Sequence, residues 1–169
     1  MHPMRPQLLL YYNRPMIETF SYTSELPGPT VTFFGCIHGN EICGIKALRE
    51  ISELFKDGSL SLLKGRVMFV PCCNPEAYRQ NKRFVESNLN RIFRRASDPK
   101  TYEEKLANEL APFVENTDVL IDLHSMTAPG PVTLFIDYSN EESARLAGVL
   151  DAPYAMTDWP KVYEKNKDV

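Results

Sequence analysis

The sequence predicts an α/β domain with a mostly parallel sheet covered by helices. Two observations lead to this fold class: apolar runs suited to buried strands recur along the chain, and stretches with apolar residues at helical spacing lie between them. At 169 residues the chain has the length of one domain, so we expect residues 1–169 to share a single core.

The first predicted strand covers residues 30–37 and follows the turn signal Pro27-Gly28-Pro29. Its β-branched and aromatic composition is typical of a buried strand. A helix is predicted from Glu41, with Asn40 as its N-cap. His38 therefore lies at a strand-to-helix junction. The apolar positions of the helix are Ile42, Ile45, Leu48, Ile51 and Phe55.

Residues 66–70 form the next predicted strand, which stops at Pro71. The polar stretch 74–97 is expected to be a loop with short turns. Asp98-Pro99 has the chemistry of a helix start, and we expect Pro112 to kink or end the helix that follows. The apolar positions of that helix are Tyr102, Leu106, Leu110 and Phe113.

The remaining predicted elements are a strand over residues 119–123, a strand over residues 132–136 and a helix over about residues 141–150. In an open parallel sheet, functional groups cluster beyond the carboxyl ends of the strands. His38 and His124 each follow a predicted strand, so we expect both of them at such ends.

Charge and composition exclude several classes of protein. The 19 basic and 22 acidic residues give a net charge of −3, which argues against a surface built for nucleic acid or anionic lipid. The sequence shows no signal peptide or membrane helix, so we expect a cytoplasmic protein with no membrane partner. The four cysteines lack C-x-x-C spacing and are expected to be buried free thiols: Cys36, Cys43, Cys72 and Cys73.

Three residues could bind a metal ion. Zinc in hydrolytic sites is commonly held by two histidines and a glutamate. His38 and Glu41 are three residues apart across the junction, and His124 could approach from a neighbouring strand. The spacing also fits an alternative without metal, in which His38 lies in a loop, Glu41 interacts with a helix dipole and His124 lies in the core.

Residues 79–95 carry a local positive charge. Six basic residues face Glu86 alone, which gives six minus one, or +5. Arginines in this segment could bind a carboxylate, or stabilise an oxyanion next to a metal ion. Charge alone equally allows a solvated, mobile loop or a nucleic-acid patch. The basic residues are Arg79, Lys82, Arg83, Arg91, Arg94 and Arg95.

In chain order these features resemble the succinylglutamate desuccinylase and aspartoacylase family, zinc-dependent relatives of the metallocarboxypeptidases. The resemblance covers about residues 27–136 and rests on the ordered combination of segments. It implies a three-layer αβα, zinc-carboxypeptidase-like domain with a mostly parallel or mixed sheet. The matching segments are His38-Gly39-Asn40-Glu41, Asn74-Pro75, Arg83, the run Asn-Leu-Asn-Arg-Ile-Phe at residues 88–93, and Asp122-Leu123-His124-Ser125.

The resemblance also implies a role for each matching residue. Arg83 would polarise the carbonyl of the substrate amide, while Asn90 and Arg91 would bind the substrate carboxylate. Asp122 could orient a ligand or an arginine; a buried acid paired with a lysine or arginine is the open alternative. The implied ligands of one zinc ion per chain are His38, Glu41 and His124.

The implied reaction is hydrolysis of the amide bond of an N-acyl acidic amino acid, a small-molecule substrate that carries a carboxylate. No nucleic-acid partner is expected for such an enzyme. Two other functions stay open: a peptidase of the metallocarboxypeptidase kind, and a non-catalytic module that binds zinc or anions.

Two departures from the family pattern affect these expectations. Asn88 stands where the family usually has aspartate, so a neutral group replaces a negative one near the site. The family's general base is a glutamate in a C-terminal portion, and family members are considerably longer than 169 residues. Glu164 is the only glutamate in residues 161–169, and it is expected to be a solvated surface residue.

The chain therefore looks like the zinc-bearing half of a deacylase, apparently truncated at its C-terminus. We expect it to bind zinc and, on its own, to hydrolyse amides weakly or not at all, because general acid-base assistance is absent. An apolar sheet edge left exposed by such a truncation would favour a homo-oligomer.

Overall fold

The computed structural model describes residues 17–126, 128–136 and 140–157, which fall into two compact units. The boundary between the units lies between Ser125 and Met126. The first unit contains the strands β1 (Phe20–Thr23), β2 (Thr30–Gly35), β3 (Arg66–Val70) and β4 (Val119–Leu123). Its helices are α1 (Cys43–Lys56), α2 (Pro75–Arg79), α3 (Leu89–Ile92) and α4 (Tyr102–Glu115).

The four strands of the first unit form one mixed sheet in the order β1-β3-β2-β4. Strands β2, β3 and β4 run parallel, and β1 is antiparallel to β3. The central strand β2 pairs Phe34 with Val70 on one side and with Asp122 on the other. The carboxyl ends of the three parallel strands therefore share one edge of the sheet.

Helices cover both faces of this sheet. Phe33 and Phe34 are neighbours in β2 and therefore point to opposite faces. Phe33 packs in a cluster with Phe69 and with Leu48 of α1, while Phe34 packs in a cluster with residues of α4. The first unit is thus a three-layer α/β/α arrangement, which confirms the predicted fold class. The core on the α4 face contains Phe34, Ile37, Val70, Cys73, Leu89, Leu106, Ala107 and Leu110.

The start of α1 lies against the end of β2. A Cβ atom built on Gly44 would lie 2.9 Å from Cα of Gly35, and one built on Gly35 would lie 2.7 Å from the carbonyl oxygen of Pro71. A side chain at either position would push helix and strand apart. Residues 36–42 are therefore enough to cross from strand to helix, and this short segment carries the first two predicted metal ligands.

Helix α1 begins later than predicted. Its first residue is Cys43 and its N-cap is Ile42, so the expected cap at Asn40 was wrong. The reason is a tight turn before the helix, in which the N–H of Glu41 donates to the carbonyl oxygen of His38 at 3.0 Å. Asn40 belongs to this turn, which holds the backbone outside the helix.

Helix α4 also begins later than predicted, at Tyr102 instead of Asp98-Pro99. Thr101 and Glu104 form a reciprocal capping box, in which each side chain accepts from the other residue's backbone N–H. Two N–H groups are satisfied at once in this way. The helix therefore starts at this capping box and not at Asp98-Pro99, where the sequence signal is weaker.

Helix α4 continues beyond Pro112 to Glu115, so of the two expected effects of the proline, a kink or an end, the end did not occur. The side-chain amide of Asn116 donates to the carbonyl oxygen of Pro112 at 2.7 Å. Phe113 and Val114 pack against the core on this face of the sheet. Together these contacts stabilise the turn that the missing proline N–H weakens.

Three other segments of the first unit differ from the sequence prediction. The polar stretch 74–97 contains two short helices, α2 and α3, capped by the side chains of Asn74 and Asn88. Strand β1 was not predicted, and β2 ends at Gly35 instead of residue 37. These elements are too short to show a clear periodicity in the sequence.

In the described part of the second unit, two short parallel strands pair with each other and one helix is present. The predicted helix is confirmed, and Asn140 caps it by accepting from the N–H groups of Glu142 and Ser143. The predicted strand over residues 132–136 is present in shorter form, and the second strand was not predicted. The elements are β5 (Thr133–Phe135), α5 (Glu141–Leu150) and β6 (Tyr154–Met156).

The four cysteines are free thiols, as predicted. Cys36, Cys72 and Cys73 are buried, whereas Cys43 is exposed at the first position of α1, so its predicted burial was wrong. Within the described residues, no helix combines the length and the apolar character needed to cross a membrane. Glu164 lies outside the described residues.

Candidate metal centre

Glu41 lies at the centre of the candidate site, and both of its carboxylate oxygens are engaged. Oε1 lies 2.8 Å from Nδ1 of His38 and 2.8 Å from a terminal nitrogen of the Arg83 guanidinium. Oε2 lies 2.9 Å from Nδ1 of His124 and accepts from the N–H of Ser125 at 3.0 Å. One buried carboxylate thus joins the segment that follows β2 to the segment that follows β4.

His38 is held by an amide on the far side of its ring. It is 1% exposed, and its Nε2 lies 3.1 Å from Oδ1 of Asn88. The same oxygen accepts from the N–H of Asn90, which sets the orientation of the amide. Because this oxygen can only accept, Nε2 of His38 carries the proton and Nδ1 keeps a lone pair.

The lone pair of His38 Nδ1 has no hydrogen-bond partner. The atom is buried and lies 2.8 Å from Glu41 Oε1, but the geometry is not that of a hydrogen bond. At this distance the Nδ1 lone pair and the carboxylate oxygen face each other, and both atoms are electron donors with no proton between them. A cation shared by the two atoms would stabilise this arrangement.

His124 faces a carboxylate with each ring nitrogen. Nδ1 contacts Glu41, and Nε2 lies 2.7 Å from Oδ2 of Asp122. The ring centroids of His38 and His124 are 5.0 Å apart. Asp122 therefore orients a ring of the candidate site, one of the two roles that the sequence left open for it.

The three residues fit a metal ion. One ligand atom from each of His38, Glu41 and His124 lies within 4.8 Å of the other two. Two imidazoles and one carboxylate are the protein donors of many hydrolytic zinc sites, in which a further position stays open. Together with the unpartnered nitrogen of His38, this donor set could hold a metal ion.

The contacts shift the pKa values of two of these residues. Burial alone would raise the pKa of Glu41, but the hydrogen bonds with His124 and the Ser125 N–H and the close contact with His38 hold it well below its ordinary range. Burial alone would lower the pKa of His124, but hydrogen bonds with Asp122 and Glu41 raise it to about 9. Without a metal ion, the site therefore pairs a carboxylate with an imidazolium at neutral pH.

The turn that carries His38 and Glu41 packs directly on α2. A Cβ atom built on Gly39 would lie 2.1 Å from the carbonyl carbon of Ala77. The N–H of Gly39 also donates to the carbonyl oxygen of Arg83 at 3.1 Å. This turn and the segment that carries Arg83 are therefore joined through backbone as well as side chains.

Arg83, predicted as a catalytic residue, and Asn90 and Arg91, predicted as substrate-binding residues, are connected to the candidate metal centre in two different ways. Arg83 contacts Glu41 directly, and 48% of its side chain is exposed. Asn90 and Arg91 are exposed residues of the short helix α3, whose N-cap Asn88 contacts His38. A positive charge thus borders the candidate site, and α3 is tied to the site through its cap.

Ion pairs offset much of the positive charge of residues 79–95. Arg79 pairs with Glu76 at 2.6 Å, and Arg95 pairs with Glu115 at 2.5 Å. Arg83 pairs with Glu41. The partners at positions 76, 115 and 41 lie outside the segment, so its local charge overstates the field around it.

Glu103 is a buried residue near the site that sequence reasoning missed. It is 0% exposed, and its carboxylate accepts from the N–H groups of Val85, Glu86 and Ser87. The signal was present in the helical spacing. Glu103 precedes buried apolar residues of α4 by three, four and seven positions, which places it on the buried face of the helix. Those residues are Leu106, Ala107 and Leu110.

A three-layer α/β/α unit with two imidazoles and a carboxylate beyond its parallel strands defines the class: an α/β protein with a candidate metal centre of the hydrolase type. Comparison with known proteins is more specific. The family model described as "Succinylglutamate desuccinylase/Aspartoacylase catalytic domain" matches residues 27–165. The chain belongs to this family.

Individual relatives are similar over most of this chain. A "Probable aspartoacylase" of Acaryochloris marina is 30% identical over 128 residues, which cover 71% of this chain and 42% of the relative. An N-alpha-acetyl-L-2,4-diaminobutyric acid deacetylase of Halomonas elongata is 32% identical, with coverage of 76% and 40%. A crystal structure of an aspartoacylase family protein from Mesorhizobium loti superposes with a TM-score of 0.71 at 23% identity, covering 82% of this chain and 46% of that one. The chain thus spans about two fifths of the length of the curated relatives it matches.

Proposed function

We propose that the protein is a zinc-dependent hydrolase that cleaves the amide bond of an N-acyl amino acid bearing a free carboxylate. The observation that carries this proposal is the convergence of His38, Glu41 and His124 on one point, with a buried nitrogen that lacks a hydrogen-bond partner. The names of the relatives, an aspartoacylase and a deacetylase of an N-acetyl amino acid, support the substrate class.

In this proposal each residue of the site has one task. His38 binds through Nδ1, because Asn88 holds the proton on Nε2. Asp122 orients the ring of His124. Zinc in such a site supplies Lewis acidity, which polarises a carbonyl and makes a water molecule more acidic. The zinc ligands we propose are His38, Glu41 and His124.

Arg83 supplies positive charge to the reacting carbonyl. Its guanidinium contacts Glu41, and about half of its side chain reaches the surface, so a substrate can approach it. Positive charge fixed beside a developing oxyanion lowers the barrier, since no reorganisation is needed as the charge forms. Asn90 and Arg91, exposed on α3, bind the substrate carboxylate, and a guanidinium can do so with two parallel hydrogen bonds.

The first test is the zinc content of the purified chain, which does not depend on turnover. We expect about one zinc ion per chain, lost in His124→Ala and retained in the matched variant His2→Ala. A wild-type chain that takes up no zinc after reconstitution would contradict the proposal. Equal loss of zinc in both variants would show that the ion is not bound where we place it.

The second test concerns the substrate class. Binding of N-acetylaspartate and N-succinylglutamate to the zinc-loaded protein is measured by calorimetry, and turnover is measured in parallel. We expect Arg91→Ala to weaken binding by roughly tenfold or more, the loss expected for a charged hydrogen bond, and Arg94→Ala to leave binding near the wild-type value.

Release of C-terminal residues from peptides, with no action on N-acyl amino acids, would favour the peptidase. Binding without turnover agrees with the weak or absent hydrolysis that the sequence predicts for this chain on its own, and it leaves the non-catalytic module open.

A further inference from the structure

The carboxylate of Glu103 organises the backbone between two residues of the candidate metal centre. It accepts from the N–H groups of Val85 at 2.6 Å, Glu86 at 3.1 Å and Ser87 at 3.1 Å. A fourth N–H comes from the side-chain amide of Asn74 at 3.3 Å. Three consecutive backbone donors on one carboxylate fix both the position and the direction of this short segment.

The segment 85–87 is irregular and belongs to no helix or strand. It makes two further contacts with the start of α4: the carboxylate of Glu86 accepts from the N–H of Tyr102, and the hydroxyls of Ser87 and Thr101 lie 3.3 Å apart. Buried backbone N–H groups must find acceptors, and a carboxylate is the strongest acceptor available to them.

Both ends of this segment lead directly to the site. Arg83, two residues before Val85, contacts Glu41, and Asn88, the residue after Ser87, contacts His38. A displacement of the segment would therefore move the guanidinium and the amide together. Within the described residues, no hydrogen bond or ion pair joins Arg83 or Asn88 to Glu103, so an effect of Glu103 on the candidate metal centre would pass through the backbone.

The burial of Glu103 points to a role beyond helix stability. The helix already has its own capping box and an apolar face, and within the described residues Glu103 forms no ion pair. Burying a carboxylate without a cation costs free energy that only its hydrogen bonds offset. We infer that the main structural role of Glu103 is to hold segment 85–87 in place.

We propose that Glu103 is a positioning residue of the metal centre: it holds segment 85–87 so that Asn88 fixes the tautomer of His38 and Arg83 lies against Glu41. The part of this inference that concerns metal binding rests on the proposed function. The part that concerns the His38 ring does not, since it can be measured without a metal ion.

The test compares Glu103→Gln with Glu104→Gln, which removes the same charge from the next residue of α4 and disturbs the capping box and the hydrogen bond from the Lys100 N–H. Zinc affinity is measured by competition with a chelator, and the Co²⁺-loaded protein is examined by absorption spectroscopy. We expect Glu103→Gln to weaken zinc binding by about tenfold or more, as is typical for partners of metal ligands, and to change the Co²⁺ spectrum. Glu104→Gln should lower the Tm and leave the affinity and spectrum unchanged. Glu103→Asp, which keeps the charge, should lie between wild type and Glu103→Gln.

Two measurements keep the inference testable if a variant fails to fold or the chain binds no metal. In the metal-free protein, the ¹⁵N shifts of the His38 ring report whether the Nε2 proton is hydrogen-bonded to Asn88. We expect these shifts to change in Glu103→Gln and to stay the same in Glu104→Gln. In the wild-type protein, zinc should slow hydrogen exchange at residues 85–87, because coupling between two sites is reciprocal. The proposal is overturned if Glu103→Gln only lowers the Tm, with zinc affinity and His38 shifts unchanged. It is also overturned if zinc binds to the wild-type protein and leaves exchange at residues 85–87 unaltered. A chain that binds no zinc, but whose His38 shifts respond to Glu103→Gln, would remove the proposed function and keep this inference.

Discussion

Asn88 stands where the sequence resemblance implies an aspartate, and the structure shows what this residue contacts. Its amide oxygen lies 3.1 Å from Nε2 of His38 and also accepts from the N–H of Asn90. An amide can hold the proton on Nε2 as a carboxylate would, but it adds no negative charge. We therefore expect the histidine to keep its orientation and to be a weaker electron donor than with aspartate beside it.

The first prediction follows from this contact. Asn88→Asp should tighten zinc binding, because the added charge makes His38 a better donor, while Asn88→Ala should weaken it by roughly 10- to 100-fold. Zinc affinity from chelator competition checks both directions. Asn116→Ala, which removes an amide at the far end of α4, is the matched control and should bind zinc as the wild type does. A tighter Asn88→Ala variant would contradict the assignment.

The second prediction concerns pH. In the metal-free protein the pKa of His124 is raised to about 9, compared with about 6.5 in the unfolded chain. Protonation of His124 therefore stabilises the folded protein fully at pH values below about 6.5, and this stabilisation is lost as the pH rises through 9. Zinc needs the neutral imidazole and must displace that proton. Zinc affinity should therefore rise with pH up to about 9, by at most about tenfold per pH unit.

Calorimetry in two buffers with different ionisation enthalpies measures the displaced proton directly. We expect release of about one proton per zinc ion at pH 7. In Asp122→Asn, Nε2 of His124 loses its carboxylate partner, so the pH dependence should shift to lower pH. An affinity that does not change between pH 6 and pH 9 would show that His124 is not a ligand.

At the scale of elements, the site depends on how closely the segment 36–42 is enclosed. The pair Gly35 and Gly44 lets α1 start beside β2, and Gly39 lets the turn rest on α2. Cys36 adopts a left-handed backbone conformation, with φ of 54°, at the beginning of this segment. Such conformations are uncommon for residues other than glycine and occur where the surroundings impose them.

The third prediction tests this enclosure. In Gly39→Ala the new methyl group would lie 2.1 Å from backbone carbon of Ala77, which cannot move without displacing α2. We expect a loss of about 1–3 kcal/mol in the free energy of unfolding, the usual range for overpacking, together with weaker zinc binding. Urea denaturation measures the first effect. Gly148→Ala in α5, where nothing lies within 4 Å of the added carbon, should be neutral or slightly stabilising.

Element prediction succeeded where periodicity was long and failed where side chains decided the boundary. The strands at β2, β3 and β4 and the helices α1, α4 and α5 were all predicted from apolar spacing. The start of α4 was wrong because the capping box of Thr101 and Glu104 lies beyond the Asp98-Pro99 signal. The helix does not end at Pro112, one of the two effects expected there, because Phe113 and Val114 pack on the core beyond the proline.

At the scale of the whole molecule, the candidate site joins parts of the chain that are far apart in sequence. His38 and Glu41 follow β2, and His124 follows β4, which pairs with β2 along the full length of the strand. A metal ion would bind the folded first unit and not the unfolded chain, in which these groups are separated. Metal binding and folding of this unit should therefore be coupled.

The fourth prediction is that zinc raises the stability of the protein and a chelator lowers it. At a free zinc concentration of 100 times Kd, one site adds about 2.7 kcal/mol to the free energy of unfolding. Differential scanning calorimetry with zinc and with EDTA measures the shift in Tm. The shift should vanish in His124→Ala and persist in His2→Ala. A shift of equal size in both variants would mean that zinc binds elsewhere.

By itself, the sequence determined the order of the main elements and placed His38 and His124 after two strands, because apolar periodicity and residue spacing are local properties of the chain. The tertiary structure alone decided that β4 lies beside β2, that Glu41 bridges the two histidines, and that Asn88 meets His38. It also decided that the carboxylate of Glu103 meets the N–H groups of residues 85–87. The contacts of Glu103 with Ser87, of Asn88 with His38 and of Glu41 with His124 join residues 16, 50 and 83 positions apart. Their energies depend on strand register and side-chain packing, which no local pattern records.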